Sequence, residues 1–247
     1  MLPLGASRDK VVDVLFWSGG KDSYLSLLLL EQHYIDNSLD GRVVLLTTFE
    51  GSSLTGEITH QGLCCRDVMN QAKALGLDLL LVPLPDKNGQ GVSNVGYKET
   101  VTSALSVLRE ELSSEVLKFD ASASMEMRLV FGDLHLQDIR AWRESTFSGE
   151  GGFECMFPAF GLDYSELQGA LWTAMGARGG GEKELDTIQI SAWSGSGDET
   201  ATLAAKGVTY DEAFVSSLPA SIDGMGERGE FHTHVVFSQK KSVKGGH

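Results

Sequence analysis

The chain has 247 residues, 42% of them hydrophobic and 22% charged, with a formal net charge of −14. That length suits one large or two modest α/β domains around a sizeable core. The acidic balance argues against nucleic acid or an anionic membrane as a broad electrostatic partner. The first residues lack the basic start and apolar run of a secretory leader, and no apolar stretch approaches the ~20 residues of a membrane span. The expectation is a cytoplasmic protein with no membrane partner.

In chain order, residues 11–17 read as a buried strand, followed by a glycine turn and a helix over 22–33 with Leu25, Leu28 and Leu29 on one face. A second strand is expected over 42–49. A helix over 63–75 follows, closed by Gly76. A third strand over 77–82 is stopped by Pro83 and Pro85. Then come a helix over 97–112, a strand over 127–131 ending at Gly132-Asp133, and a short helix over 137–145. Strands alternating with helices at this spacing predict a Rossmann-like α/β domain with a parallel sheet and right-handed crossovers over residues 10–147.

The glycine-rich stretch 148–152 reads as a boundary, and beyond it a smaller α/β substrate-binding domain is expected over 153–238. Its elements are a helix over 164–175, a strand over 187–193, helices near Glu199 and Tyr210, and a strand over 231–237. Residues 113–124 and 178–182 read as surface insertions, and the tail 239–247 as disordered. Cys64, Cys65 and Cys155 form no CxxC and no zinc-type spacing, so they read as buried, reduced thiols.

Ligands on such sheets sit at the carboxyl ends of strands, and two glycine-containing polar junctions fall there. In the first, Ser18-Gly19-Gly20-Lys21-Asp22-Ser23, glycines allow close backbone approach and the helix start favours an anion. Lys21 adds positive charge, Ser18 and Ser23 add hydroxyls, and Asp22 can cap the helix or hold magnesium. The bland reading is an ordinary strand-to-helix turn. In the second junction, Gly132 to His135, Asp133 suits a magnesium ion bridging phosphates or a helix cap. His135 suits phosphate or substrate, or a structural place. Arg140 and Arg143, three apart on one helix face, suit a phosphate or carboxylate clamp or simply solvent.

Near the end, Glu227 and Glu230 stand in a turn where either can hold an incoming cation, act as a base, or be solvated. His232 and His234 share a strand face, but no third ligand lies nearby, and a zinc site is rejected.

The loop 18–23 resembles the PP-loop, S-G-G-x-D-S, of the ATP pyrophosphatases in the adenine nucleotide α-hydrolase-like superfamily. Three further segments are similar to the diphthine–ammonia ligase family: Val130-Phe131-Gly132-Asp133-Leu134-His135 with Arg140 to Glu144, Gln71 to Leu77, and Gly226-Glu227-Arg228-Gly229-Glu230-Phe231-His232-Thr233. Where that family carries P-L-W, this sequence has Phe157-Pro158-Ala159-Phe160.

The resemblance implies AMP-forming amidation of a carboxylate with ammonium, namely diphthine to diphthamide on translation elongation factor 2, with ATP and Mg2+. ATP would sit on Ser18, Gly19, Gly20, Lys21, Asp22, Ser23 and Gly132, with magnesium on Asp22 and Asp133. Lys21, Asp22, Asp133, Glu227 and Glu230 would be catalytic, and His135, Arg140, Glu144 and His232 would meet the substrate. Two alternatives stand beside it: a pyrophosphatase acting on another acid or in tRNA thiolation, and a non-catalytic adenine-nucleotide binder.

Overall fold

A computed structural model describes residues 9–39, 41–51, 56–58, 61–84, 93–119, 124–149, 152–177, 186–193 and 206–238. The elements begin with β1 (Asp9–Phe16), α1 (Lys21–Asp36), β2 (Gly41–Glu50), β3 (Glu57–Ile58) and β4 (Leu63–Cys64). Next come α2 (Cys65–Leu75), β5 (Asp78–Leu84), α3 (Asn94–Phe119), β6 (Ser124–Val130) and α4 (Gln137–Arg143), which runs into a π-helical turn (Glu144–Gly149). The chain continues through β7 (Glu154–Met156), α5 (Tyr164–Ala177), β8 (Thr187–Trp193), α6 (Glu212–Ser217) and β9 (Phe231–Val236).

The main sheet has five parallel strands in the order β5-β2-β1-β6-β7. The chain therefore winds outward from β1 in one direction, through β2 and β5, and then in the other, through β6 and β7. The order reverses between β1 and β6, which opens a crevice at their carboxyl ends. Side chains alternate across the sheet. Leu15, Leu45 and Val130 face one layer, made by α1, α2 and α5. Val12, Val14, Val44, Leu46 and Leu129 face the other, built largely on α3. Coverage on both faces explains why β1 and β2 are nearly continuous apolar runs.

The exception in β1 is Asp13, which is fully buried. Arg128 of β6 donates to it from Nε at 2.8 Å and Nη2 at 2.7 Å, and the Tyr34 hydroxyl of α1 donates a third bond. A buried carboxylate is tolerated only with such partners. Burial, then the bond to Asp13, pushes the Tyr34 hydroxyl well above its ordinary range.

Several expectations needed correction. Proline does not stop β5 at Pro83; the strand runs through it to Leu84. β5 is an edge strand, where proline's missing N–H removes no ladder bond. Helix α3 reaches Phe119 instead of ending at Leu112, so the expected insertion is helical over most of its length. Val101, Leu105, Leu112 and Val116 are all buried and keep the helical period across Ser113-Ser114. The helix expected from Leu63 begins at Cys65, because Leu63 and Cys64 pair with β3. Gly76 closes α2 in the left-handed conformation, φ 71°, as expected. The short strand β7 went unanticipated. The helix expected near Glu199, the segment 178–182 and the tail 239–247 lie outside the described residues. No helix among the described residues is long and apolar enough to cross a membrane.

Strands β8 and β9 form an antiparallel hairpin. Its Ile188, Ile190, Phe231 and Val235 join the same buried cluster as Leu15, Tyr24 and Val68. The tie between hairpin and sheet is polar as well. Gln71 of α2, 3% exposed, accepts a bond from the Trp17 indole at 2.8 Å. Its amide nitrogen donates to the carbonyls of Gly19 at 2.9 Å and Val235 at 2.8 Å. The Val235 N–H closes the ring on the Gly19 carbonyl at 3.0 Å.

Gln71→Ala removes these bonds and leaves the indole N–H buried without its partner. Urea unfolding should show a loss of about 2–4 kcal/mol.

Candidate functional site

The loop between β1 and α1 is shaped by its neighbours. Gly19 has φ +82°, and a Cβ there would stand 2.9 Å from both Gln71 Oε1 and Leu63 Cδ1. Only glycine meets both the conformation and the space. Ser18 Oγ accepts the Gly20 N–H at 3.3 Å, and Ser23 Oγ donates to the Gly20 carbonyl at 3.0 Å. Gly20 is the N-cap of α1 and supplies no capping side chain. The positive end of a 16-residue helix is therefore presented by backbone alone.

Gly132 shows how the second junction meets the first. A Cβ on it would lie 3.0 Å from the Asp22 carbonyl carbon and 3.1 Å from Ser23 N. The end of β6 thus packs directly on the first turn of α1, and the two junctions share the crevice at the switch point.

A pocket of about 210 Å³ opens over the loop. Ser18, Gly20, Lys21 and Asp22 form one side, Gln61 lies on another, and Gly226, Glu227, Phe231, His232 and Thr233 close it. Thr233 of β9 reaches across to accept the Lys21 N–H at 2.9 Å. Lys21 is 3% exposed, and its Nζ donates to Asp22 Oδ1 at 2.6 Å. Tyr210, fully buried, lies under this ammonium with its ring centroid 6.0 Å away.

Glu227 reaches the pocket from a tight turn. Gly226 has φ +70°, and a Cβ there would meet the Phe231 carbonyl at 2.9 Å. Burial, followed by the charge of Asp22, pushes the Glu227 carboxyl up to about 7, with Lys21 opposing the rise.

Of the residues singled out from sequence, the structure brings Ser18, Gly20, Lys21, Asp22, Glu227 and His232 to one pocket, with Gly19 and Ser23 shaping the loop behind it. Others are engaged by neighbours. Both Asp133 oxygens accept from Arg143, at 2.5 Å from Nε and 3.1 Å from Nη2, and Asp133 does not cap α4, while its charge still reaches Glu227 in the pocket. Arg140 is paired with Glu144 at 2.9 Å, and its guanidinium lies over Phe157 and Phe160 at 4.9 and 4.7 Å. The segment Phe157 to Phe160 thus packs beneath that arginine. The His135 ring sits 5.0 Å from the Tyr164 ring. Glu230 is spent on its own turn, accepting the N–H groups of Asp223 and Arg228, each at 3.0 Å.

Sequence reasoning singled out neither Gln61, Thr233, Tyr164 and Asp223 nor the structural roles of Gln71 and Tyr210. Thr233 and Asp223 sit within or beside the late glycine-rich segment, so their signal was present. Tyr210 has no motif around it.

Among the described residues no group of three or more His, Cys, Asp or Glu side chains is arranged to hold a metal ion. Magnesium, however, is held by one or two carboxylates together with substrate phosphates. Asp22 and Asp133 would supply such a pair, Asp22 ion-paired with Lys21 and Asp133 with Arg143 in this structure.

No protein-family model matches the sequence, and no curated protein is similar to it. Among solved structures, the chain is similar to the U34-tRNA thiolase NcsA from Methanococcus maripaludis, described with its 4Fe-4S cluster. The identity is 17% and the TM-score 0.33, over 68% of this chain and 59% of that one. The chain therefore spans about three fifths of that protein's length, and a likeness this distant carries no inference about chemistry.

Two outcomes test this geometry. Gly132→Ala forces backbone apart at the loop and should cost about 1–3 kcal/mol in denaturant unfolding. Glu227, titrating near 7 in the fold and at 4.5 ordinarily, carries no penalty below about pH 4.5, where it is protonated in both states. The penalty grows as pH rises through 7 and is constant above. Glu227→Gln removes it, so thermal melts should show the variant gaining on the wild type between pH 5 and pH 8, by about 1–2 kcal/mol after allowing for solvent screening.

Proposed function

We propose that this protein is an ATP-dependent, AMP-forming carboxylate–ammonia ligase, acting on diphthine of translation elongation factor 2 to give diphthamide. One observation carries the reading. The PP-loop-like segment and the late Gly226-to-Thr233 segment, the two most specific parts of the resemblance, face each other across one pocket. The Lys21–Thr233 bond that joins them spans 212 residues.

Each piece has a chemical task under this reading. The backbone at the start of α1 and the Lys21 ammonium stabilise the phosphate oxygens of ATP as charge develops between α and β. Magnesium, when bound, offsets phosphate charge, and Asp22 is the expected ligand nearest the loop. The substrate carboxylate attacks the α-phosphorus and pyrophosphate leaves. Glu227 accepts one proton from ammonium. Ammonia then attacks the acyl carbon, AMP departs, and the second proton goes to solvent. The pocket's small volume suits a polyphosphate end more than a whole nucleotide, and on this reading the adenosine lies outside it along the crevice.

Sulfur transfer finds less support. All three cysteines are free thiols, and none lines the pocket, so a sulfur relay has no carrier there. The net charge of −14 likewise disfavours tRNA.

The test combines diphthine-bearing elongation factor, ATP, magnesium and ammonium, with pyrophosphate release and mass spectrometry of the factor as readouts. Conversion to the amide is expected, and Lys21→Ala should slow it about 100-fold or more. Tight ATP binding without conversion would remove the diphthine assignment; no pyrophosphate with any acid would remove the ligase reading altogether.

A further inference from the structure

The turn over residues 223–230 delivers Glu227 to the pocket, and the bonds that hold it come from outside the pocket. Asp223 is the centre of them. Its Oδ1 accepts the Met225 N–H at 2.7 Å and, at a longer 3.5 Å, the Glu227 N–H. Its Oδ2 accepts the Tyr164 hydroxyl of α5 at 2.9 Å. From the far side Glu230 braces the same turn through the N–H groups of Asp223 and Arg228. Underneath, the Tyr210 hydroxyl donates to the Gly224 carbonyl at 2.9 Å.

These contacts form a closed circuit around the pocket. Gly132 packs on Asp22 and Ser23 at the start of α1. Three residues on, the His135 ring touches Tyr164. Tyr164 then holds Asp223, and Asp223 sets the turn whose Glu227 faces Lys21 and Asp22 again. Two carboxylates in one small pocket repel each other, and a turn without an external anchor would relax to separate them. Two hydroxyls from outside the turn oppose that relaxation, Tyr210 through the Gly224 carbonyl and Tyr164 through Asp223, and the second holds the carboxylate that accepts the Met225 and Glu227 N–H groups. We infer that Tyr164 and Asp223 are positioning residues, a latch that holds the Glu227 carboxyl in the pocket.

The inference rests on the reading that Glu227 acts on a bound substrate, so its test has one readout apart from turnover. Tyr164→Phe removes the hydroxyl and keeps the ring against His135. Amide hydrogen exchange should quicken about tenfold or more at Met225 and Glu227, confined to residues 223–230, and unchanged exchange there would overturn the latch.

Turnover supplies the second arm. Amide formation should fall about 10- to 100-fold in Tyr164→Phe, because Glu227 takes its proton from ammonium after pyrophosphate has left, with the first-turnover release of pyrophosphate and the ATP dissociation constant within about twofold of wild type. In a Glu227→Gln background the same Tyr164→Phe change should cost nothing more, because the latch acts through Glu227. A merely structural tyrosine would slow both backgrounds by the same factor, and that result would overturn the inference. Asp223→Asn, which keeps an acceptor for the Met225 N–H, should lose less than Asp223→Ala; equal loss in the two would also count against it. If the wild type turns over no acid, the ligase reading fails, and the exchange comparison alone then decides whether the latch exists.

Discussion

The site depends on one buried primary amide. A glutamine side chain offers one carbonyl oxygen and two N–H donors, and Gln71 commits them to the Trp17 indole, the Gly19 carbonyl and the Val235 carbonyl. Those partners belong to the end of the first strand, the phosphate-type loop and the last strand. The loop's shape is therefore not a local property of its glycines. Gly19 takes a positive φ because the amide and Leu63 occupy the space beside it, and the carbonyl it turns inward is received by both Gln71 and the Val235 N–H. A buried polar group of this kind is costly unless satisfied, so the hairpin must be docked before the loop is complete.

Two groups of charges illustrate opposite uses of burial. Asp13, Arg128 and Tyr34 form a satisfied set inside the sheet, with the acid fully enclosed and bonded. Such a set holds strands β1 and β6 in register with the end of α1. In the pocket, by contrast, Asp22 pairs with the Lys21 ammonium, and Glu227, largely buried and facing the Asp22 charge, is left with a raised affinity for its proton. Strain of that sort is what a binding site carries and a scaffold avoids. The Asp133–Arg143 pair is bonded like the set inside the sheet, yet the Asp133 charge reaches Glu227 in the pocket.

The main layers were legible because their signals are local. Apolar runs gave β1 and β2, a glycine stop gave the end of α2, and the alternation of strand and helix gave the parallel sheet. Where the reading failed, the deciding fact was distant in the chain. Pro83 is tolerated only because β5 lies at an edge, which depends on strand order. The length of α3 depended on Leu112 and Val116 finding the sheet. β7 is three residues long and gains its identity from pairing with β6. For the pocket, motif reading found the loop and Glu227, both embedded in glycine-rich punctuation. It could not separate Glu227 from Glu230, because that choice turns on which carboxylate the backbone of the turn consumes. Nor could it find Tyr164 or Tyr210, whose hydroxyl partners, Asp223 and Gly224, are set by the tertiary fold.

The sheet's margins have a consequence for the molecule in a crowded solution. One border is β5, which carries an exposed Pro83 and is flanked by Arg42, which bridges Asp78 and Glu115. The other is β7, too short to offer more than a few unpaired backbone groups. Neither presents the long row of donors and acceptors onto which a foreign strand could add. A five-stranded sheet rich in valine and leucine is a template for association when its borders are open, and here both borders of the sheet that carries the pocket offer little to pair with.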